Sequence, residues 1–268
     1  MQSLVVHRST SGATRRSCVA PARVPRLAVP VRASAEPAAP KPKPKAPQQM
    51  LVYSPPHPLI KHWLAILRSN FTPPPMFRSA CAELGRLLIY EAMREFQPTM
   101  EQQVETPLGA IADATICDPD QPIKVIPILR AGLVLLEQAQ QVLPFHQTYH
   151  VGYVRDPATL QVGVWVNFLG WEPASHKVPV VDPTPPVQAC RGTEGTVIED
   201  IVARGGRAEN IRVVAVVVAP PALKKLADKF PGLKIYTAMI DEQVDERGYI
   251  VPGLGDAGDR AYGTPHNH

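Results

Sequence analysis

Residues 124–143 read K-V-I-P-I-L-R-A-G-L-V-L-L-E-Q-A-Q-Q-V-L. Lys124 to Leu129 is a short apolar run, the length of a buried strand. Ala131 to Leu143 is rich in alanine, leucine and glutamine and reads as a helix. Arg130 sits at the junction. The same alternation runs outward from this unit. Tyr149–Val154 and Val162–Leu169 alternate in the strand manner, joined by an Asp-Pro turn, and Val178–Val181 is a short buried strand. Then come a helix over Thr196–Arg204, a strand over Ile211–Ala219, a helix over Leu223–Phe230 and a strand over Lys234–Ile240. Nearly all-apolar strands alternating with helices predict an α/β fold, a mainly parallel sheet flanked by helices. Upstream, His57-Pro58 opens an amphipathic helix with Leu59, Ile60, Trp63, Leu64 and Leu67 on one face. Thr72-Pro73-Pro74-Pro75 breaks it, and Phe77–Glu95 forms a second amino-terminal helix.

In such sheets ligands bind beyond the carboxyl ends of the strands. Three points of this kind are visible. Arg130-Ala131-Gly132 follows I-P-I-L, Arg155-Asp156 follows H-V-G-Y-V, and Asp182-Pro183 follows P-V-V. An arginine at a strand end can hold phosphate oxygens through two parallel hydrogen bonds.

Composition narrows the function. Residues 1–50 carry nine Lys/Arg against one acid, Glu36, whereas the rest of the chain has 19 basic and 23 acidic side chains. The folded part is therefore mildly acidic despite an overall charge of +4, which argues against nucleic acid as a partner. No apolar run is long enough to span a bilayer, so no membrane partner is expected. The four cysteines form no C-x-x-C pair, which suits a reducing compartment. His57, His62 and Cys81 show no metal-ligand clustering, and no metal-ligating residues are assigned. A nucleoside kinase is disfavoured because no G-x-x-x-x-G-K-[ST] occurs. Residues 1–35 hold six arginines and no acid, the composition of an organelle transit peptide. Val31-Arg32-Ala33-Ser34 resembles a plastid processing site, and mitochondrion is the competing address. Residues 36–50, with P-K-P-K-P-K, read as an extended linker, and the folded domain spans 51–268.

Near the carboxyl terminus, Gly248–Arg260 reads G-Y-I-V-P-G-L-G-D-A-G-D-R. An apolar trio is stopped by Pro252, and glycines then alternate with Asp256 and Asp259. Such glycines allow φ > 0 and close approach of a ligand to the backbone. This string resembles the uracil-binding signature of the uracil phosphoribosyltransferases, especially the plant and algal plastid type. H-P-L-I-K-H and E-L-G-R-L-L-I-Y-E-A resemble the amino-terminal helices of the same family, and the likeness covers roughly residues 50–264. It implies a type I-like phosphoribosyltransferase fold with N-terminal helices. The implied reaction joins uracil to phosphoribosyl pyrophosphate (PRPP), giving UMP and pyrophosphate in pyrimidine salvage. Mg²⁺ bound through PRPP, GTP as an activator and a homo-oligomer are implied with it.

The resemblance also implies residue roles. Ile250, Gly255, Asp256 and Ala257 take uracil, with Asp256 also catalytic and in contact with PRPP. Arg130 and Arg155 take PRPP, as do Asp182, Pro183, Gly192, Thr193, Gly195 and Thr196, which match the phosphate loop. That loop departs from the family pattern. Eight residues, Thr184 to Arg191, stand where two are expected, Glu194 replaces a glycine, and Phe168 replaces a lysine. A misplaced splice junction or genuine divergence would each produce this block. The expected consequence is weak PRPP binding. It leaves a second reading, a non-catalytic nucleotide-binding regulatory paralogue of the same fold.

Overall fold

Every residue of Ile211–Val218 is buried, and this strand lies between the two hydrophobic cores of the molecule. The computed structural model describes residues 49–155, 162–167, 178–181, 193–246 and 248–265, all within the unit Lys45–His268. In chain order the elements begin with β1 (Leu51–Tyr53), α1 (Pro58–Arg68), α2 (Pro74–Met93), β2 (Thr99–Glu105) and β3 (Ile111–Cys117). β4 (Ile123–Leu129), α3 (Ala131–Leu136), β5 (His146–Thr148), β6 (Val151–Arg155), β7 (Val162–Asn167) and β8 (Val178–Val181) follow. The chain continues with α4 (Thr193–Ala203), β9 (Ile211–Val218), α5 (Pro220–Lys229) and β10 (Lys234–Ile240). It closes with β11 (Gln243–Val244), β12 (Ile250–Val251) and α6 (Ala257–Tyr262).

The main sheet runs β1-β10-β9-β8-β4-β6-β7, with β5 also paired to β4. All its pairings are parallel except β6 with β7. The mainly parallel sheet flanked by helices, with two N-terminal helices, is therefore present as expected. One core packs α1, α2 and α3 against β9, around Leu67, Phe77, Leu84, Leu88 and Leu135. The other packs Val197, Ile198 and Ile201 of α4 and Leu226 of α5 on the opposite face. Two covered faces explain why the strands read as continuous apolar runs.

Strand order fixes where a ligand belongs. From β4 the chain moves to β6 on one side, then returns to β8 on the other and continues outward through β9 and β10. The crevice between the carboxyl ends of β4 and β8 is thus a topological switch point. Arg130 follows β4 there, three residues beyond Pro127, which pairs with Val181 at the end of β8. Helix α3 is drawn tightly onto α2 beside this point. A Cβ at Gly85 would lie 2.0 Å from the Leu135 carbonyl oxygen, so only glycine permits the approach.

Several boundaries differ from expectation. α2 starts at Pro74, not Phe77, because prolines suit the first helical positions and the expected break is itself the helix start. α3 ends at Leu136, short of Leu143, and a 3₁₀ turn over Ala139–Gln141 follows. α5 likewise begins on a proline, Pro220. The trio at Tyr249–Val251 supplies only the two-residue β12, paired antiparallel with β11 outside the main sheet. The β2–β3 hairpin, β1 and β5 are elements not expected from the sequence.

Candidate active site

The Gly248–Arg260 stretch is held from beneath by its apolar residues. Ile250, Leu254, Ala257 and Ala261 are buried in the core against α1, α2 and α3. Ile250 thus turns its side chain inward and leaves only its backbone for a ligand. Gly253 has φ +55°, and a Cβ there would meet the Ile250 carbonyl oxygen at 2.0 Å. Gly255 has φ +68° and is exposed. Next to it Asp256 caps α6, its Oδ1 accepting from the Asp259 N–H at 2.9 Å. Among the described residues no donor reaches Asp256 Oδ2. Gly255 is exposed, as are Val251 and Pro252, Asp256 is half-buried, and Ala257 is buried.

Arg130 is brought to the same place. Its Nη2 pairs with Asp259 Oδ1 at 2.7 Å, and its Nη1 donates to Thr264 Oγ1 at 3.3 Å. Thr264 Oγ1 donates to the same Asp259 oxygen at 2.6 Å, and about half of the Arg130 side chain stays open to solvent. A Cβ at Gly258 would crowd Asp256 Oδ1 at 3.2 Å, while Arg130 Nη2 would stand at an ordinary contact distance of 3.7 Å. The switch-point arginine and Asp259, 129 positions apart in the chain, are in direct contact.

Among the other residues assigned from sequence, Arg155 ends β6, which runs beside β4 with Leu129 opposite Gly152. Its backbone therefore lies beyond the carboxyl edge of β4. Thr193, Gly195 and Thr196 form the first turn of α4, which starts three residues earlier than expected, and Gly195 is buried there. Asp182, Pro183 and Gly192 lie outside the described residues, as do Thr184 to Arg191 and Phe168.

Three charged residues were not singled out in the sequence. Asp241, just past β10 and 4% exposed, accepts from Gly253 N–H at 2.9 Å through Oδ2 and from Arg68 Nη2 at 2.6 Å through Oδ1. Arg260 donates to the carbonyls of Leu67 (2.5 Å), Leu254 (2.8 Å) and Ser69 (2.6 Å), with its guanidinium 4.5 Å from the Phe77 ring centroid. Its burial pushes its pKa down from the ordinary arginine value. A basic residue in the last turn of α1 was the available signal for Arg68. For Asp241 and Arg260 there was none, since their partners are distant in the chain.

Fold and site together define an α/β phosphoribosyltransferase. A family model described as uracil phosphoribosyltransferase matches residues 54–264, and the chain belongs to the uracil phosphoribosyltransferase family. It is 51% identical over 217 residues to the chloroplastic uracil phosphoribosyltransferase of Arabidopsis thaliana, covering 81% of this chain and 72% of that one. The uracil phosphoribosyltransferase of Synechocystis sp. is 50% identical, covering 81% of this chain and 99% of its own. Among solved structures, a protein of Aquifex aeolicus aligns with a TM-score of 0.72 at 31% identity, covering 81% of this chain and all of that one.

Proposed function

We infer that the chain transfers the phosphoribosyl group of PRPP to uracil, giving UMP and pyrophosphate. It is a pentosyltransferase of pyrimidine salvage. The observation that carries this reading is the family match over residues 54–264, which includes the loop where Asp256 stands open beside Arg130. The reaction breaks the bond from the anomeric carbon to pyrophosphate, forms the bond to N1 of uracil, and releases the N1 proton.

Backbone groups of Ile250, Gly255 and Ala257 are assigned to the pyrimidine edge. A mismatched base would leave such polar groups unpaired, which is how backbone contacts discriminate. Asp256 is assigned as the catalytic residue. Oδ1 is fixed by the helix cap, leaving Oδ2 to accept a hydrogen bond from substrate. Arg130 and Arg155 are assigned to the phosphates of PRPP, stabilising charge as pyrophosphate departs. Asp182, Pro183, Gly192, Thr193, Gly195 and Thr196 are assigned to the ribose phosphate by their place in the motif. The open carboxylate oxygen of Asp256 and the arginine-bearing edge suit a substrate that carries its own Mg²⁺. That ion, when bound on PRPP, neutralises the leaving group.

A homo-oligomer is part of this reading, and the β2–β3 hairpin supports it. Register places Met100 opposite Ile116, Gln102 opposite Ala114 and Val104 opposite Ala112 on one face. The other face carries Glu101, Gln103, Glu105, Asp113 and Thr115. Met100, Val104 and Leu108 are exposed, and a two-stranded hairpin is marginal in water unless a face is covered. A second copy of the chain is the proposed cover. No helix among the described residues is long and apolar enough to cross a membrane. Plastid import is proposed from the basic, acid-free residues 1–35 and from the chloroplastic relative. GTP activation rests on family resemblance alone and is read as a rise in turnover on adding GTP.

The test of substrate class is a base panel assayed with PRPP and Mg²⁺. Uracil is expected to be converted to its nucleotide, while cytosine and hypoxanthine are not. Equal use of hypoxanthine would contradict the assignment.

A further inference from the structure

Helix α1 is remote from the substrate loops in sequence, yet its carboxyl end is tied to both sides of the base loop. A helix ends with carbonyl groups that lack intrahelical partners. Here Arg260 serves those of Leu67 and Ser69, and the same guanidinium holds the Leu254 carbonyl of the loop. On the other side Arg68, the last residue of α1, pairs with Asp241, whose second oxygen receives the Gly253 N–H. The two ties bracket Gly253 and Leu254, the residues immediately before Gly255 and Asp256. One of them passes through a carboxylate that is almost wholly buried and ion-paired with Arg68.

We propose that Arg68 and Asp241 are positioning residues that set affinity for the base, by fixing the loop backbone that meets it. The proposal rests on the reading of Gly248–Arg260 as the base site. Neither residue is assigned contact with substrate. Arg68 acts through Asp241, and Asp241 acts through Gly253. Removing Arg68 takes away the partner that orients the buried Asp241 carboxylate, which is then free to rotate away from the Gly253 N–H. Arg130 is tied to Asp259 and Thr264 rather than to this pair, so PRPP, which is also assigned to Arg130, Arg155 and the phosphate loop, is expected to lose less affinity than uracil.

The experiment measures KM for uracil and for PRPP separately in the full chain and in the variants Arg68→Ala, Arg68→Lys and Asp241→Asn. Uracil affinity is also measured directly by calorimetry. Arg68→Ala is expected to weaken uracil by about tenfold to a hundredfold, the scale of a hydrogen bond to a charged group. PRPP, which meets this loop through Asp256 but is held elsewhere too, should change by at least about fivefold less than uracil. Arg68→Lys keeps the charge and should fall between. Low concentrations of guanidinium ion should recover uracil affinity in Arg68→Ala, because the Arg68 side chain is partly open to solvent. Asp241→Asn retains an oxygen for Gly253 but no charge for Arg68, and should also weaken uracil selectively. Parallel loss of both substrates together with the melting temperature, or unchanged uracil affinity in all three variants, would overturn the proposal. A parent chain that does not bind uracil at all would instead overturn the base-site reading beneath it. If Arg68→Ala does not fold, Arg68→Lys and Asp241→Asn decide alone.

Discussion

At the scale of single residues, the loop works because each position is used once. Gly253 bends, Leu254 anchors, Gly255 stays open, Asp256 caps α6 with one oxygen and offers the other. Gly253→Ala tests this division. Its Cβ would collide with the Ile250 carbonyl oxygen, and its φ of +55° is left-handed. The left-handed conformation alone costs about 1–2 kcal/mol in a non-glycine residue. The variant should melt lower and lose uracil affinity, measured by thermal unfolding and calorimetry. Retention of both would show that the loop backbone is not fixed in this way. Gly255 and Asp256 were singled out through the resemblance of the whole G-Y-I-V-P-G-L-G-D-A-G-D-R string, since glycine and aspartate by themselves mark only a turn. Asp241 and Arg260 were not. Their roles depend on contacts such as Arg260 to Leu67, 193 positions apart, which no local pattern encodes.

Among elements, the buried strands were the easiest to read. β9 falls where the nearly all-apolar run Ile211–Ala219 places it, since two-sided burial leaves a clear signal. The β2–β3 hairpin was missed because its faces are weakly contrasted, with Gln102 among the apolar positions and Ile111 among the polar ones. If a second chain covers its apolar face, Met100→Glu with Val104→Glu should convert the oligomer to monomer in sedimentation. An unchanged mass would remove the hairpin from the interface. The phosphate loop is the other element at issue. Glu194 places a carboxylate in a segment assigned to a phosphate, where two like charges ~4 Å apart repel by about 4 kcal/mol at intermediate dielectric. Excising six of the residues 184–191 together with Glu194→Gly should therefore tighten PRPP by roughly a hundredfold or more. PRPP affinity equal in both versions would mean that the longer loop has its own working geometry.

For the whole molecule, the parallel sheet brings Arg130, after β4, into contact with Asp259, 129 residues later in the C-terminal stretch. The fold class was legible from strand–helix alternation, whereas strand order was not, because parallel neighbours need not be neighbours in the chain. The family match begins at residue 54, after the basic amino-terminal segment. A fluorescent fusion of residues 1–50 should enter plastids. Cytosolic fluorescence would contradict a transit peptide, and mitochondrial fluorescence would change the address.

The central claim is that the Gly248–Arg260 loop binds uracil for phosphoribosyl transfer. PRPP-dependent conversion of labelled uracil to UMP, with saturating Mg²⁺, compared between the parent chain and Asp256→Asn, tests it most directly. Asparagine still caps α6, so the variant should keep its melting temperature. UMP should form in the parent at high PRPP and be lost in Asp256→Asn. Equal turnover in the two, or no UMP at any PRPP concentration even in the chain with the shortened phosphate loop, would contradict the account.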